Sequence, residues 1–427
     1  MSSISIVILC TILAYMCLLI GVGIYNAKKN NSSEDFYLGG RKMGALVVAM
    51  SAEASDMSSW LLMGLPGVAY LTGLADAFWT AAGLAIGTYL NWLFTSRRLR
   101  RYSERIGAIT VPTFFAKRFH DEKNVITAIS AVIIVIFFVP YVASGFAACG
   151  KLFNSLFGMD YMTGVIVFAI IIVIYTIMGG FTTVATNDLI QSIVMSIALV
   201  SIVTFGVSNA GGMGAVMDNA KSLSGYLSLS AIHDAVTGTA IPYSPLTAVS
   251  LLAWGIGYFG MPHILVRFMS IEDEQKLVLS RRVASIWVTF AMGIAIFIGI
   301  VGLAVVNAGG MAPLEDSERI IIALTNELSQ NGVLMAILGG VILAGILAAT
   351  MSTADSQMLV AASGVSENIV QDFLGKKLTE KQGLNIARAT ILGIAVIALF
   401  LARDPNSSVF GIVSFAWAGF GGAFGAV

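Results

Sequence analysis

Along the chain's 427 residues, runs of apolar positions alternate with short segments in which the charged residues gather. A helix rises about 1.5 Å per residue, so roughly 20 apolar residues cross the hydrocarbon of a bilayer. On that ruler the pattern predicts eleven membrane spans, near 5–25, 44–71, 76–96, 125–154, 160–179, 187–208, 247–268, 283–307, 333–362, 385–402 and 408–427. Several exceed one bilayer thickness, which predicts tilt, breaks or extensions beyond the membrane. The first run, "SISIVILCTILAYMCLLIGVGIY", has no basic leader and no small-residue cleavage site, so it reads as a retained helix rather than a signal peptide. The last, "FAWAGFGGAFGAV", is still apolar at Val427, and further helices are expected beyond it.

Composition agrees with a polytopic membrane protein: 57% of residues are hydrophobic, 11% are charged and the mean hydropathy is +0.87. Soluble domains carry about a quarter charged residues. The net charge of zero, with no separate basic domain, excludes a nucleic-acid partner. Cys10, Cys17 and Cys149 lie in apolar surroundings without CxxC spacing, so they read as packing residues rather than a disulfide framework or metal site.

The basic residues report orientation. With the N-terminus outside, 20 of the 24 Lys and Arg fall in inner segments: Lys28, Lys29, Arg41 and Lys42, then Arg97 to Lys123, Arg267 to Arg282 and Lys376 to Arg388. Lys151, Lys221, Arg319 and Arg403 remain outside. Of the longest outer segments, 209–246 and 313–331, the second contains "EDSERIIIALTNELSQ", which reads as an interfacial or capping helix, or as a plain solvated one.

Against this background Glu53 and Asp56 stand out in "SAEASDMSSWLLMGLPG", residues 51–67. An isolated charge at that depth costs about 2.5–3.5 kcal/mol even on lenient insertion scales, so a use for it is predicted. Glycine and proline interrupt the same run, and they interrupt "AWGIGYFGMPH", residues 253–263, as well. Each interrupted run opens a block of five spans, 44–208 and 247–427, and an odd span number inverts the second block relative to the first. The predicted fold is therefore an all-α polytopic membrane protein with a five-plus-five inverted repeat, broken helices at the midplane and an extra N-terminal helix, 5–25. The whole chain, 1–427, forms one transmembrane transporter domain.

"SAEASDMSSWLLMGLPG", "GYFGMPHILVRFMS", "GGFTTVATNDLIQ" (179–191) and "LAATMSTADSQML" (347–359) resemble the signatures of the sodium/solute symporter family, most closely its sodium/proline symporters of the PutP type. The resemblance runs in order through nearly the whole chain. It implies a LeuT-like core after one extra helix, and Na+ as the coupling ion. It further implies that sodium is held by the carbonyls of Ala54, Met57 and Ala349 and the hydroxyls of Ser352 and Thr353. Positions 349, 352 and 353 share one helix face, and a hard cation takes oxygen ligands. Without the resemblance, Ser352 and Thr353 read as hydroxyls bonded to their own backbone or to a neighbouring helix.

Asp56 resembles the aspartate that the family needs for sodium coupling. Asp188 matches a second acidic position on the ion path or gate, and "TND" equally makes a helix N-cap there. At the start of the second half-helix, amides near Ser58, Ser59 and Trp60 suit a carboxylate. Trp254, Tyr258 and Phe259 at the facing break, with Tyr141, suit an apolar ring and an ammonium, the latter through cation–π contacts worth about 0.5–2 kcal/mol. Singly, such aromatics are packing or interface residues; clustering at two breaks sets Trp60, Trp254 and Tyr258 apart. Pro262 distorts the helix beyond the pocket. His263 and Arg267, one turn apart, form a gate, or Arg267 is an anchor at the inner surface.

Two residues depart from the family pattern: Glu53 and Ser59 stand where sodium/proline symporters usually have glycine. Glu53 then either adds a charge near the ion or faces a water-filled vestibule and pairs with a basic group. Asp355, after the Ser-Thr pair, is expected to face the same inner cavity. The expected function is sodium-coupled import of L-proline or a closely related amino acid across the cell membrane. Uptake of another small solute such as a monocarboxylate, or a transporter-like sensor module, is the alternative. No GxxxxGK[ST], HExxH or GxSxG motif occurs, and His120, His233 and His263 are not clustered, so neither an ATP-driven pump nor an enzyme is indicated.

Overall fold

The computed structural model describes residues 3–27 and 32–426, so Lys28, Lys29 and Val427 of the expected pattern lie outside it. Helix α1 is Ser3–Ala27. The next span is split into α2 (Ala45–Ser59), a wide turn over Trp60–Gly64 and α3 (Leu65–Thr72). Then come α4 (Leu74–Phe94), α5 (Val125–Phe157) and α6 (Tyr161–Asn209). The second split span comprises α7 (Pro245–Leu252), a tight helical stretch Ala253–Gly260 and α8 (Pro262–Ser270). The remainder is α9 (Leu277–Asn307), α10 (Val333–Ser363) continuing through Gly364–Phe373, α11 (Glu380–Leu401) and α12 (Val409–Phe424).

By length and composition, six of these helices suffice to cross a membrane, and the bent pair Pro245–Gly260 and Pro262–Ser270 makes a seventh. The other expected spans escape that test for local reasons. Ala45–Thr72 is interrupted at Ser58, Leu74–Phe94 carries Asp76 and Asn91, and Val409–Phe424 has only 16 residues. Helix α6, at 49 residues, would run far beyond one bilayer if straight. It turns at Gly180, whose φ of 57° and ψ of −171° are open to glycine. The two spans expected at 160–179 and 187–208 are therefore parts of one helical run that turns at Gly180. With these helices counted, each of the eleven expected spans has a helical counterpart.

Two expectations about the exterior change. The helix Ile320–Ser329 is neither interfacial nor solvated: Ile320, Ile321, Leu324 and Leu328 are buried in the protein. Ahead of it, Glu318 receives Lys151 at 2.8 Å and faces the amides of Val409 and Phe410 at the start of α12, at 3.4 and 3.3 Å. A β-hairpin, Ala231–His233 with Ala240–Pro242, lies within 209–246, where no strand was expected. Of the cysteines, Cys149 is buried but Cys10 and Cys17 are exposed on α1, so those two do not pack inside.

Glycine sets the second break against α4. A Cβ on Gly87 would collide with the backbone of Gly255, and one on Gly255 with the backbone of Gly83. Only bare backbone at these positions lets the stretch Ala253–Gly260 lie flat on α4.

Candidate functional site

The first break is built on Ser58. Its φ of 45° and ψ of −170° end α2, and a non-glycine residue held there costs about 1–3 kcal/mol. Local bonds repay part of that strain: the Trp60 amide donates to Ser58 Oγ at 3.1 Å, and the Tyr141 hydroxyl on α5 donates to the Asp56 carbonyl at 3.3 Å. The second break is at Met261, extended at φ −82° and ψ 103°, and its two halves are bent by 48°. Pro262 opens α8 as a first-turn residue, where its missing N–H is no loss.

Four of the five expected sodium ligands come together. The Ser352 hydroxyl lies 2.7 Å from the Ala54 carbonyl and 3.1 Å from the Ala349 carbonyl, and Thr353 Oγ1 lies 3.1 Å from the Ala349 carbonyl. All four residues are buried. The Met57 carbonyl, the fifth, accepts the Trp60 amide within the broken helix, which leaves one of its lone pairs. In these bonds the hydroxyls donate to their own helix and to the neighbouring one, the alternative that the residues alone left open; the same two carbonyls and two hydroxyls are oxygen donors of the kind a hard cation takes. Among the described residues no cluster of His, Cys, Asp and Glu of the kind that holds a transition metal occurs.

Asp56 bridges the two breaks. Tyr258 donates its hydroxyl to Asp56 Oδ2, while Oδ1 has no partner. Asp56, Trp60, Leu84, Trp254, Val413 and Trp417 enclose a cavity with room for about one water molecule. The Trp60 and Trp254 rings stand 5.7 Å apart, and Trp417 meets Tyr258 edge-on at 4.8 Å. The indole nitrogens of Trp60 and Trp254 and the hydroxyl of Ser59 are buried without partners. Of these groups, the two indoles and Asp56 belong to the cavity wall, which therefore carries N–H donors beside one free carboxylate oxygen.

Some expected site residues sit elsewhere. Phe259 is not at this cavity: it lines a groove with Phe94, Leu265 and Phe424. The Trp60 amide is already taken by Ser58 and Met57, so it is not open to a carboxylate. Glu53, 1% exposed, accepts from the Trp92 indole at 3.1 Å and has no basic partner among the described residues, so the vestibule pairing is not seen there. Trp417, Leu84 and Val413 were missed because they are apolar residues in apolar runs, without any polar mark. Trp417 had one faint signal, its place amid glycines in "FAWAGFGGAFGAV".

A second polar cluster lies beyond Pro262. Arg267, 1% exposed, donates to Asp188 Oδ2 at 3.1 Å, Ser51 Oγ at 3.0 Å, Ser356 Oγ at 2.5 Å and the His263 carbonyl at 2.6 Å. It is a buried tie rather than a surface anchor, because its whole fork is spent on α2, α6, α8 and α10. Asp188 is not an N-cap: it lies two turns past Gly180 inside α6, fully buried, and also accepts from Ser51 at 2.5 Å. Asp355 joins the cluster through Tyr175 and Ser356. His263 packs edge-on to Phe138.

Comparison with known proteins fits this geometry. The osmoregulated proline transporter OpuE of Bacillus subtilis (strain 168) is 39% identical over 422 residues, 99% of this chain and 82% of that protein. The high-affinity proline transporter PutP of the same organism is 40% identical over 95% of this chain and 83% of its own. A sodium/proline symporter of Staphylococcus aureus (strain NCTC 8325 / PS 47) is 40% identical over 97% and 78%. Among solved structures, a Na+-coupled sialic acid symporter in a substrate-bound outward-open state superposes with a TM-score of 0.80 at 17% identity, over 98% of this chain and 86% of that one. Mhp1, a nucleobase-cation-symport-1 family transporter in a closed conformation, gives 0.54 at 16% identity, over 87% and 77%. These structural likenesses establish the LeuT-like fold. Residues 36–427 match the sodium:solute symporter family, and this multi-pass membrane transporter belongs to it.

Proposed function

We propose that the chain imports L-proline together with sodium by alternating access. The N-terminus lies outside, and the blocks 44–208 and 247–427 act as inverted repeats about the two breaks. The observation that carries this reading is the convergence of the Ala54 and Ala349 carbonyls with the Ser352 and Thr353 hydroxyls, directly beside the Asp56–Tyr258 bridge. The relatives' names, proline transporters at about 40% identity, support the choice of solute.

Sodium enters the oxygen set, and the two hydroxyls turn their protons away to present lone pairs. The ion offsets the negative end of α2 and fixes the strained backbone at Ser58. Asp56 and Tyr258 are thereby held in register, so ion binding prepares the cavity. The substrate's secondary ammonium meets the free Asp56 Oδ1, its carboxylate meets Ser59 and the indole N–H groups, and its ring lies among Trp60, Trp254 and Trp417. Admission of the ring requires the indoles to turn, because the cavity as it stands is closed around them. Release to the other side requires Arg267 to let go of Asp188, Ser51 and Ser356. The energy source is the ion gradient.

The test is uptake of labelled L-proline by cells that lack their own proline carriers, with and without sodium, in competition with monocarboxylates and other amino acids. Sodium-dependent uptake blocked by unlabelled proline supports the reading. Block by a monocarboxylate and not by proline refutes the choice of solute.

A further inference from the structure

On the face that carries most of the basic residues, the helix Ser96–Arg105 follows α4 directly and contains five arginines. Their partners differ. Arg101 binds Glu274 through two bonds of 2.9 and 2.6 Å, and Arg97 shares that carboxylate at 3.4 Å. The Arg101 bonds hold Glu274 charged, with its pKa lowered to about 2. Arg100 is tied to Glu104 at 2.7 Å and to the Ile271 carbonyl at 2.7 Å. Among the described residues Arg98 has no anionic partner, and Arg118 on the helix Val111–Arg118 lies over the Phe119 ring at 5.7 Å without one.

Both of these arginines, with Tyr102, edge one groove of about 480 Å³. Its walls are apolar, formed by side chains such as Phe94, Phe115, Phe259 and Phe424, and none of the described acidic residues lines it. Two uncompensated guanidinium groups beside a phenylalanine-walled trough at the end of a membrane span match a molecule with an anionic head and a hydrocarbon tail. Guanidinium binds phosphate oxygens bidentately, and basic pockets at the ends of membrane helices attract anionic headgroups. A free phosphate ion would use the arginines but leave the aromatic trough without a function.

We propose that this groove is a binding site for an anionic phospholipid, its phosphate held by Arg98 and Arg118 and one acyl chain lying against Phe259 and Phe424. The position links the lipid to transport. Phe259 and Leu265 flank Pro262 at the second break, Phe259 follows Tyr258, and Phe424 ends the helix that carries Trp417. A lipid seated there braces the second break on the side away from the central cavity.

The experiment uses purified, delipidated full chain in detergent, titrated with phosphatidylglycerol or phosphatidylcholine, with bound lipid counted by native mass spectrometry. Phosphatidylglycerol is expected to be retained in preference to phosphatidylcholine, and glycerol 3-phosphate, which has the phosphate but no chain, is expected not to displace it. Arg98→Gln and Arg118→Gln should each weaken retention about five-fold, the equivalent of about 1 kcal/mol per basic residue. Lys276→Gln, which removes a charge from the same face outside the groove, should leave retention unchanged. Equal retention of the two lipids, displacement by glycerol 3-phosphate, or equal losses from Lys276→Gln and Arg98→Gln would overturn the site. The first two of these readouts need only the unmodified protein, so they decide even if a variant does not fold.

Discussion

The Ser352 hydroxyl lies 2.7 Å from the Ala54 carbonyl, joining the middle of α10 to the last turn of α2 just before the chain breaks at Ser58. Neither group is a strong ligand alone. Together with the Ala349 carbonyl and Thr353 hydroxyl they form a buried group of oxygens, which the proposed function assigns to the coupling ion.

Ser352→Ala and Thr353→Ala should each raise the sodium concentration for half-maximal uptake about tenfold, since one hydrogen-bonding or ligand group is worth about 1.5 kcal/mol. The proline requirement at saturating sodium should change little. Sodium titrations of initial uptake rates check this, and a larger shift in the proline requirement would move the ion site elsewhere.

Asp56→Ala should abolish sodium-dependent uptake while leaving membrane insertion intact. Tyr258→Phe removes the donor to Asp56 and should cost about 1–3 kcal/mol in sodium-dependent proline binding. If the hydroxyl acts through Asp56, the double variant will bind no worse than Asp56→Ala alone. A double-mutant cycle on proline binding measures the coupling.

Trp417→Ala and Trp254→Ala should raise the half-saturating proline concentration about thirtyfold, as expected for truncating a buried aromatic anchor worth about 2 kcal/mol, with a smaller effect on sodium. For Trp417 this is a test of geometry, because only its place on the cavity wall nominates it.

Breaking the buried Arg267–Asp188 pair by Arg267→Met should destabilise the protein by about 3–5 kcal/mol, because Asp188 is left charged without compensation. Adding Asp188→Asn should recover part of that loss. Thermal unfolding in detergent compares the unchanged protein, the two single variants and the double variant, and a double variant as unstable as the sum of the singles would mean the pair is not coupled.

The spans were legible because hydrocarbon thickness imposes a length on apolar runs, and the second break because glycine and proline are costly inside them; the first break falls at Ser58, several residues before the Gly64 and Pro66 that marked its run. The oxygen set was legible at Ser352 and Thr353 only through their motif, since carbonyls have no residue type to betray them. Three features were not legible. Trp417 is chemically indistinguishable from a packing residue until α12 is seen against the second break. Arg267 obeys the positive-inside count while being buried, so the sequence left an anchor at the inner surface open beside a gate and showed none of its partners. Phe259 neighbours Tyr258 in sequence but points to the arginine-edged groove, because the tight helical stretch Ala253–Gly260 rotates successive side chains to different sides of the second break.

The most direct measurement of the account is accumulation of labelled L-proline by proteoliposomes containing the purified chain under an imposed inward sodium gradient. The account predicts accumulation above the external concentration that collapses when a sodium ionophore is added and fails when potassium replaces sodium. Accumulation unchanged by that replacement would contradict it.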